Sequence, residues 1–337
     1  MSTPFERDVD DQAEALRAFT QSALSPAVTR LLHGRYERIV LTGMGSSHFA
    51  ALPGWRRLAD AGHPTWWVDS GQLLDAPGLI TPGTLLVSTS QSGASAEVVA
   101  MVERQGPIAR AAAVIAVTND PDSLLARRAD GLIGLHSGAE ATVSTKSYLN
   151  SLAAHDRITS VINGTPADDT GETVKVIEEF SRPAVLHDLA ADFAATPDAR
   201  LVYIGFGDHA ASALYAGLIT KEAAKVPAEG YIGGQFRHGP LELAGPGLTA
   251  VLFGGDGQAR GSVRQLGADL LASGSTVLAV GDPGLPGAIH VGAPGGSMPA
   301  RLAHDALIAQ HLTVAIATAR GITPGVFTYG SKVTTAL

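Results

Sequence analysis

Cysteine is absent from the 337 residues. That excludes disulfides, thiolate–zinc sites, cysteine nucleophiles and iron–sulfur ligation, and it suits a reducing compartment. Charge is also scarce: Asp, Glu, Lys and Arg make up 17% of the chain, against about 25% in an ordinary soluble protein. The 24 Lys and Arg against 32 Asp and Glu give a net charge of −8, with no basic run. Binding a phosphate backbone needs clustered cations, so no nucleic acid partner is expected. No apolar run reaches the ~18 residues of a membrane span. The opening MSTPFERDVDDQ is polar and acidic, unlike a signal peptide. The expectation is a cytoplasmic protein with no membrane partner.

What is abundant is apolar surface and turn residues. Hydrophobic residues make up 45% of the chain, and 39 Gly with 19 Pro supply 17%, against about 12% on average. This describes a turn-rich folded chain, and so little surface charge suits burial in an oligomer.

Three short apolar runs in the first half, 38–42, 84–89 and 113–118, are rich in β-branched residues or Leu and end in small polar residues. Buried parallel strands that end in ligand loops have this pattern. Helical periodicity lies between them, from Ala94 to Arg104 and from Ser123 to Ala129. The second half repeats the order. Leu201–Gly207 resembles Val40–Gly45 at an offset of 162, Thr276–Asp282 resembles Ala113–Asn119 at an offset of 163, and Leu248–Phe253 stands where Thr84–Thr89 stood. The expected fold class is α/β: two tandem units, each a doubly wound, mostly parallel sheet flanked by helices. The polar stretch Gly164–Glu172 is the linker region, which gives domains of 1–164 and 165–337. Helical spacing also runs from Asp10 to Leu32 and from Ala300 to Arg320, the latter stopped by Gly321 and Pro324.

Two loops stand out. Gly43-Met44-Gly45-Ser46-Ser47-His48 follows a strand and opens a helix, as a dinucleotide fingerprint does, with Asp69 standing where a ribose-binding acid would. His48, however, takes the sixth position, where close helix–strand packing calls for Gly or Ala. Ser88-Thr89-Ser90-Gln91-Ser92-Gly93-Ala94-Ser95 offers many hydroxyls and one amide just before a helix, with no Lys or Arg. Backbone N–H groups at a helix start carry partial positive charge, so this loop predicts a neutral anion cradle. A helix cap alone needs only one or two hydroxyls.

Ser90-Gln91-Ser92-Gly93 with Ser95, together with Gly45-Ser46-Ser47, resembles the phosphosugar loops of sugar isomerase (SIS) domains. Glu140-Ala141-Thr142-Val143-Ser144-Thr145-Lys146 is similar to that family's Glu…Val-Ala-Ser-Thr-Lys segment. Lys221-Glu222, Glu229 and Gln235-Phe236-Arg237-His238-Gly239-Pro240-Leu241 resemble the isomerase half of glucosamine-6-phosphate synthases, including a Glu-to-His spacing of 16, and Lys332-Val333-Thr334 resembles the C-terminal lysine tail. The likeness runs from about Phe5 to Leu337. It lacks the glutaminase part with its nucleophilic cysteine. It also departs at Ala94 (acidic in the family), Tyr215 (Glu) and Ile219 (Lys).

The resemblance implies an aldose–ketose isomerase acting on an open-chain hexose phosphate or a related anionic sugar, without a cofactor. A fructosamine-6-phosphate deglycase or an amino-sugar-phosphate deaminase is the alternative, and a non-catalytic sugar-phosphate sensor a third reading. Glu222 is then the base for C1–C2 proton transfer, since a partly dry carboxylate is tuned toward working pH. His238 serves ring opening, because imidazole titrates near pH 6.5. In the family this histidine arrives from the neighbouring subunit, which implies a homodimer. Lys332 is the tail amine that meets the carbonyl. Gly45, Ser46, Ser47, Ser90, Gln91, Ser92, Ser95 and Ser144 are the substrate- and phosphate-binding set, and Glu140 stands beside them. His304 and His311 lie seven residues apart without a Cys or an H-E-x-x-H pattern, so no metal site is expected. Trp66-Trp67 reads as core strand.

Overall fold

The computed structural model describes residues 2–103, 108–254, 257–281 and 284–335. Arg104 and Asp282, which the sequence places at the ends of a helix and of a repeat, and Leu337 lie outside the described residues. The chain divides into two compact units. One comprises Asp11–Gly171 with Tyr329–Leu337, the other Met1–Asp10 with Glu172–Thr328. The terminal segments are therefore exchanged relative to a single cut at 164/165.

In the first unit, strands β1 (Arg38–Gly43), β2 (Thr65–Trp67), β3 (Thr84–Thr89), β4 (Ala113–Thr118) and β5 (Gly131–Gly134) form one sheet. Their order is β2-β1-β3-β4-β5 and every pairing is parallel. In the second unit, β6 (Arg200–Gly205), β7 (Ala228–Ile232), β8 (Leu248–Phe253), β9 (Thr276–Val280) and β10 (Ile289–Val291) form the other. Its order is β10-β9-β8-β6-β7, again all parallel. Counted within each unit, both orders are 2-1-3-4-5, the flavodoxin-like doubly wound arrangement. The expected α/β class and the repeat are therefore both present. The central strands β3, β4 and β8 are buried along their whole length, which is why their sequences are apolar on both faces.

Each core lies where these strands meet helices. In the first unit Val40, Leu86, Val114 and Ala116 pack with Leu73, Val98, Met101 and Leu125. In the second, Val202, Ile204, Leu252 and Val277 pack with Val263, Leu266 and Leu270. The stretch Asp10–Leu32 is not one helix. Asp10 ends the helix Pro4–Asp10, and the remainder forms the helices Gln12–Gln21 and Pro26–Leu32, the last started by Ser25, whose hydroxyl accepts from the Val28 N–H at 3.2 Å. The Trp66-Trp67 pair does lie in a strand, but β2 is an edge strand and Trp66 is 39% exposed. This corrects its reading as core. Among the described residues no helix is long and apolar enough to cross a membrane.

Candidate active site

In an open parallel sheet, ligands bind beyond the carboxyl ends of the strands where the strand order reverses. In the first unit that point lies between β1 and β3, whose last residues Gly43 and Thr89 are register partners. The two loops singled out in the sequence leave from these two residues. The approach is close: a Cβ on Gly43 would lie 2.7 Å from the Thr89 carbonyl oxygen. Gly45, Ser46 and Ser47 form the first turn of the helix Gly45–Ala50, with Ser46 buried. Ser90, Gln91, Ser92 and Ser95 precede the helix Ala96–Glu103.

Local hydrogen bonds shape the second loop. Ser90 Oγ accepts from the Gly93 N–H at 3.1 Å and Ser92 Oγ from the Ala94 N–H at 3.2 Å. Both hydroxyls act as acceptors here, so each retains its proton to donate to an anion. The Gln91 carbonyl is fixed by the Asn119 N–H at 3.0 Å and by Thr118 Oγ1 at 3.2 Å. Gly93 has φ +60°, and a Cβ there would lie 2.2 Å from Ser123 Oγ. Conformation and space both demand glycine.

The dinucleotide features of the first loop have other roles. Asp69 caps the helix Ser70–Asp75, its Oδ1 accepting from the Gln72 N–H at 3.0 Å. His48 is buried and stacks on Trp67, with ring centroids 4.0 Å apart and planes 2° from parallel. A residue absent from the sequence reading, His155, lies beneath the loops. Its Nε2 shares a 2.9 Å hydrogen bond with Thr89 Oγ1, and it is 1% exposed. Burial pushes both imidazoles down to about 4. For His155 the neighbouring His48 adds to the effect, and for His48 the Asp69 carboxylate opposes it. Only the three-dimensional packing of the helix Lys146–Asn163 against the helices Gly45–Ala50 and Leu52–Asp60 brings His155 here.

The Glu140–Lys146 patch and the tail also meet in this unit. Lys332 Nζ donates to Glu140 Oε2 at 2.6 Å. Burial pushes the Glu140 carboxyl up, but Lys332 and the Ser147 hydrogen bonds overcome this and hold it below its ordinary value. Ser144 is half-buried beside Thr145, whose N–H reaches Glu140 Oε1 at 2.8 Å. Ala94 is exposed at the loop's lip, so the family's acidic position carries no charge here.

Glu222 and His238 belong to the second unit. Glu222 is half-buried in the last turn of the helix Ala210–Ala224. Lys221 is paired with Glu229 at 3.4 Å, while the Lys225 ammonium bonds the Glu222 backbone carbonyl. His238 is exposed and follows the turn Gly233–Arg237. That turn is held by its own backbone, the His238 N–H donating to the Gln235 carbonyl at 3.0 Å, and by the Arg237–Asp269 ion pair at 2.6 Å. The departures Tyr215 and Ile219 are both fully buried, and the Tyr215 hydroxyl accepts from Gln310 Nε2 at 2.9 Å. Both positions pack the core on the helix that carries Glu222. Among the described residues no cluster of His, Asp and Glu could hold a metal ion.

The profile of the SIS domain matches residues 34–159 and 196–282. The chain is 31% identical over 240 residues to the glutamine–fructose-6-phosphate aminotransferase [isomerizing] of Thermococcus kodakarensis, covering 66% of this chain and 39% of that protein. It is 28% identical over 267 residues to its counterpart in Pyrococcus horikoshii, covering 77% and 44%. The chain thus spans less than half the length of these relatives. Among solved structures, the C-terminal domain of glucosamine-fructose-6-phosphate aminotransferase from Francisella tularensis superposes with a TM-score of 0.82 at 17% identity, covering 95% of this chain and 97% of that one. Tagatose-6-phosphate ketose/aldose isomerase from Escherichia coli does so at 0.76 and 20%, covering 96% and 94%. The profile covers well over half of the residues and falls on both sheets, and the chain belongs to the SIS domain family.

Proposed function

We propose that the chain is a sugar-phosphate isomerase that interconverts an open-chain aldose and ketose. The observation that carries the reading is the Ser- and Gln-lined loop pair at the strand-order reversal of the first sheet, built of hydroxyls and helix-start N–H groups. Such a cradle suits a tetrahedral anion such as a sugar phosphate. The relatives named above act on phosphorylated sugars by their names, which supports the same class here.

In this reading Ser46, Ser47, Ser90, Gln91, Ser92 and Ser95 hold the phosphate. His238 transfers protons during ring opening, and a homodimer supplies it from the partner chain, as the family resemblance implies. Glu222 then takes the proton from C2 of the aldose, and the protonated carboxyl, which exchanges with solvent, delivers a proton to C1. The hydroxyl proton moves from O2 to O1, so C2 is oxidised as C1 is reduced and nothing else is consumed. The Lys332 ammonium faces the developing enediolate oxygen, where positive charge stabilises the transition state. Release of an amine, from C1 of a fructosamine by a deglycase or from C2 of an amino sugar by a deaminase, would begin with the same C1–C2 proton transfer and end with water hydrolysing the resulting imine.

A mass-spectrometric screen of hexose phosphates and fructosamine phosphates identifies the substrate and separates these outcomes. On that substrate, Glu222→Gln is expected to keep binding and to lose about 10²–10⁴-fold in turnover, the usual contribution of a positioned base. Wild-type turnover in Glu222→Gln refutes the assignment.

A further inference from the structure

Glu140 is enclosed within the first unit, its side chain 0% exposed. Its Oε1 accepts from the Thr145 N–H at 2.8 Å, from Thr145 Oγ1 at 3.2 Å and from the Ser147 N–H at 3.0 Å. Its Oε2 accepts from Ser147 Oγ at 2.7 Å and from Lys332 Nζ at 2.6 Å. Of these five donors, four belong to the local turn and are neutral. The cation comes from the tail, 192 residues later. An enclosed carboxylate without a cation is strongly disfavoured, so the socket and the tail depend on each other.

The tail has a second anchor. The Thr334 carbonyl accepts from the Ala96 N–H at 2.9 Å, the first N–H of the helix that begins right after Ser95. Between the anchors, Ser331 Oγ donates to the Val333 carbonyl at 2.6 Å and tightens the tail into a turn. The Glu140 segment is itself tied to the cradle through Asn119. Asn119 Nδ2 donates to the Gly138 carbonyl at 2.9 Å, the Ser137 N–H donates to Asn119 Oδ1 at 2.8 Å, and the Asn119 N–H donates to the Gln91 carbonyl at 3.0 Å. Socket, tail and anion loop thus form one hydrogen-bonded assembly.

We propose that Glu140 is a positioning residue: its enclosed carboxylate docks the C-terminal tail and fixes the Lys332 ammonium at the rim of the anion cradle. The catalytic side of this proposal rests on the reading of Lys332 as a group that meets the sugar. The docking side does not.

The absence of cysteine makes a clean test possible. In Thr335→Cys the single thiol carries a nitroxide label, and electron paramagnetic resonance reads the motion of the tail. The label is expected to be restricted in the otherwise native chain. Glu140→Gln and Lys332→Met should each shorten its correlation time several-fold, and the double variant should go no further than either single one. Unchanged motion in either single variant, or additive effects, overturns the docking. If Glu140→Gln fails to fold by circular dichroism, Lys332→Met decides alone, because it alters only the tail side of the contact. Turnover of fructose 6-phosphate is measured on the same variants. Glu140→Gln should lower kcat by the same factor as Lys332→Met with little change in KM, and a loss confined to KM refutes the positioning role. A chain that turns over no sugar phosphate yet shows the label response refutes the functional reading and leaves the docking standing. A mobile label in the native chain does the reverse.

Discussion

Two neighbouring buried imidazoles, one of them bonded to Thr89 at the end of β3, make acid stability a sensitive probe of the first unit. His48 and His155 are 8% and 1% exposed, and both are pushed down to about 4. In the unfolded chain each titrates near 6.5. Above pH 6.5 both states are neutral at these positions and the unit has its full stability. As pH falls from 6.5 toward 4 the unfolded chain takes up protons that the folded unit refuses, so stability drains away across that window. At pH 5 each group costs about 2 kcal/mol relative to pH 8, and the pair costs about 4 kcal/mol. All three tryptophans, Trp55, Trp66 and Trp67, lie in this unit, so tryptophan emission during urea unfolding reports on it selectively. With a urea m-value of about 2–3 kcal/mol/M, the midpoint should fall by about 1.3–2 M between pH 8 and pH 5. His155→Gln keeps a partner for Thr89 and removes one titrating group, so it should recover about half of that difference. Equal midpoints at the two pH values, or an undiminished difference in His155→Gln, would show that these imidazoles do not stay neutral in the folded unit.

Other expectations follow from the same geometry. Gly93→Ala places a side chain at φ +60° and against Ser123; it should cost at least the roughly 1–2 kcal/mol of a left-handed residue and weaken phosphate binding, and calorimetric titration with inorganic phosphate at wild-type strength would contradict this. Arg57 bonds both Asp156 and, at 2.9 Å, Asp168. Arg57→Met strands the Asp156 carboxylate, 8% exposed, and should destabilise the first unit by about 1–3 kcal/mol, below the full cost of a broken buried pair because Arg57 is partly solvated. Adding Asp156→Asn should restore part of the loss in the same urea assay; no recovery would contradict the stranded charge.

The sequence made the central strands legible because burial on both faces writes uninterrupted β-branched and Leu runs, as in 84–89, 113–118 and 248–253. The edge strand β10, three residues long, leaves too little pattern to read, and of the equally short β2 only the Trp66-Trp67 pair was legible, not its place at the edge. The helix Lys146–Asn163 escaped for the opposite reason. It is buried nearly all round, yet it carries Asn150, His155 and Asp156, so it shows neither an apolar stripe nor an apolar run. Its polar groups are matched from a distance: Asn150 Nδ2 donates to the carbonyls of Ala15 and Leu135, at 2.9 and 2.8 Å. The two loops that follow β1 and β3 were legible because strand, turn and helix start are contiguous in sequence. The Glu140–Lys332 pair was not, because its partners are 192 residues apart and only the folded tail joins them.

The proposed function stands on proton transfer between C1 and C2 of a bound sugar phosphate. Proton NMR of fructose 6-phosphate in heavy water tests it most directly, because exchange at C1 needs only the base and an open chain. A C1 proton signal should be lost with the native chain and kept with Glu222→Gln, although both bind the ligand. Tight binding without exchange in the native chain, or equal exchange in Glu222→Gln, would contradict it.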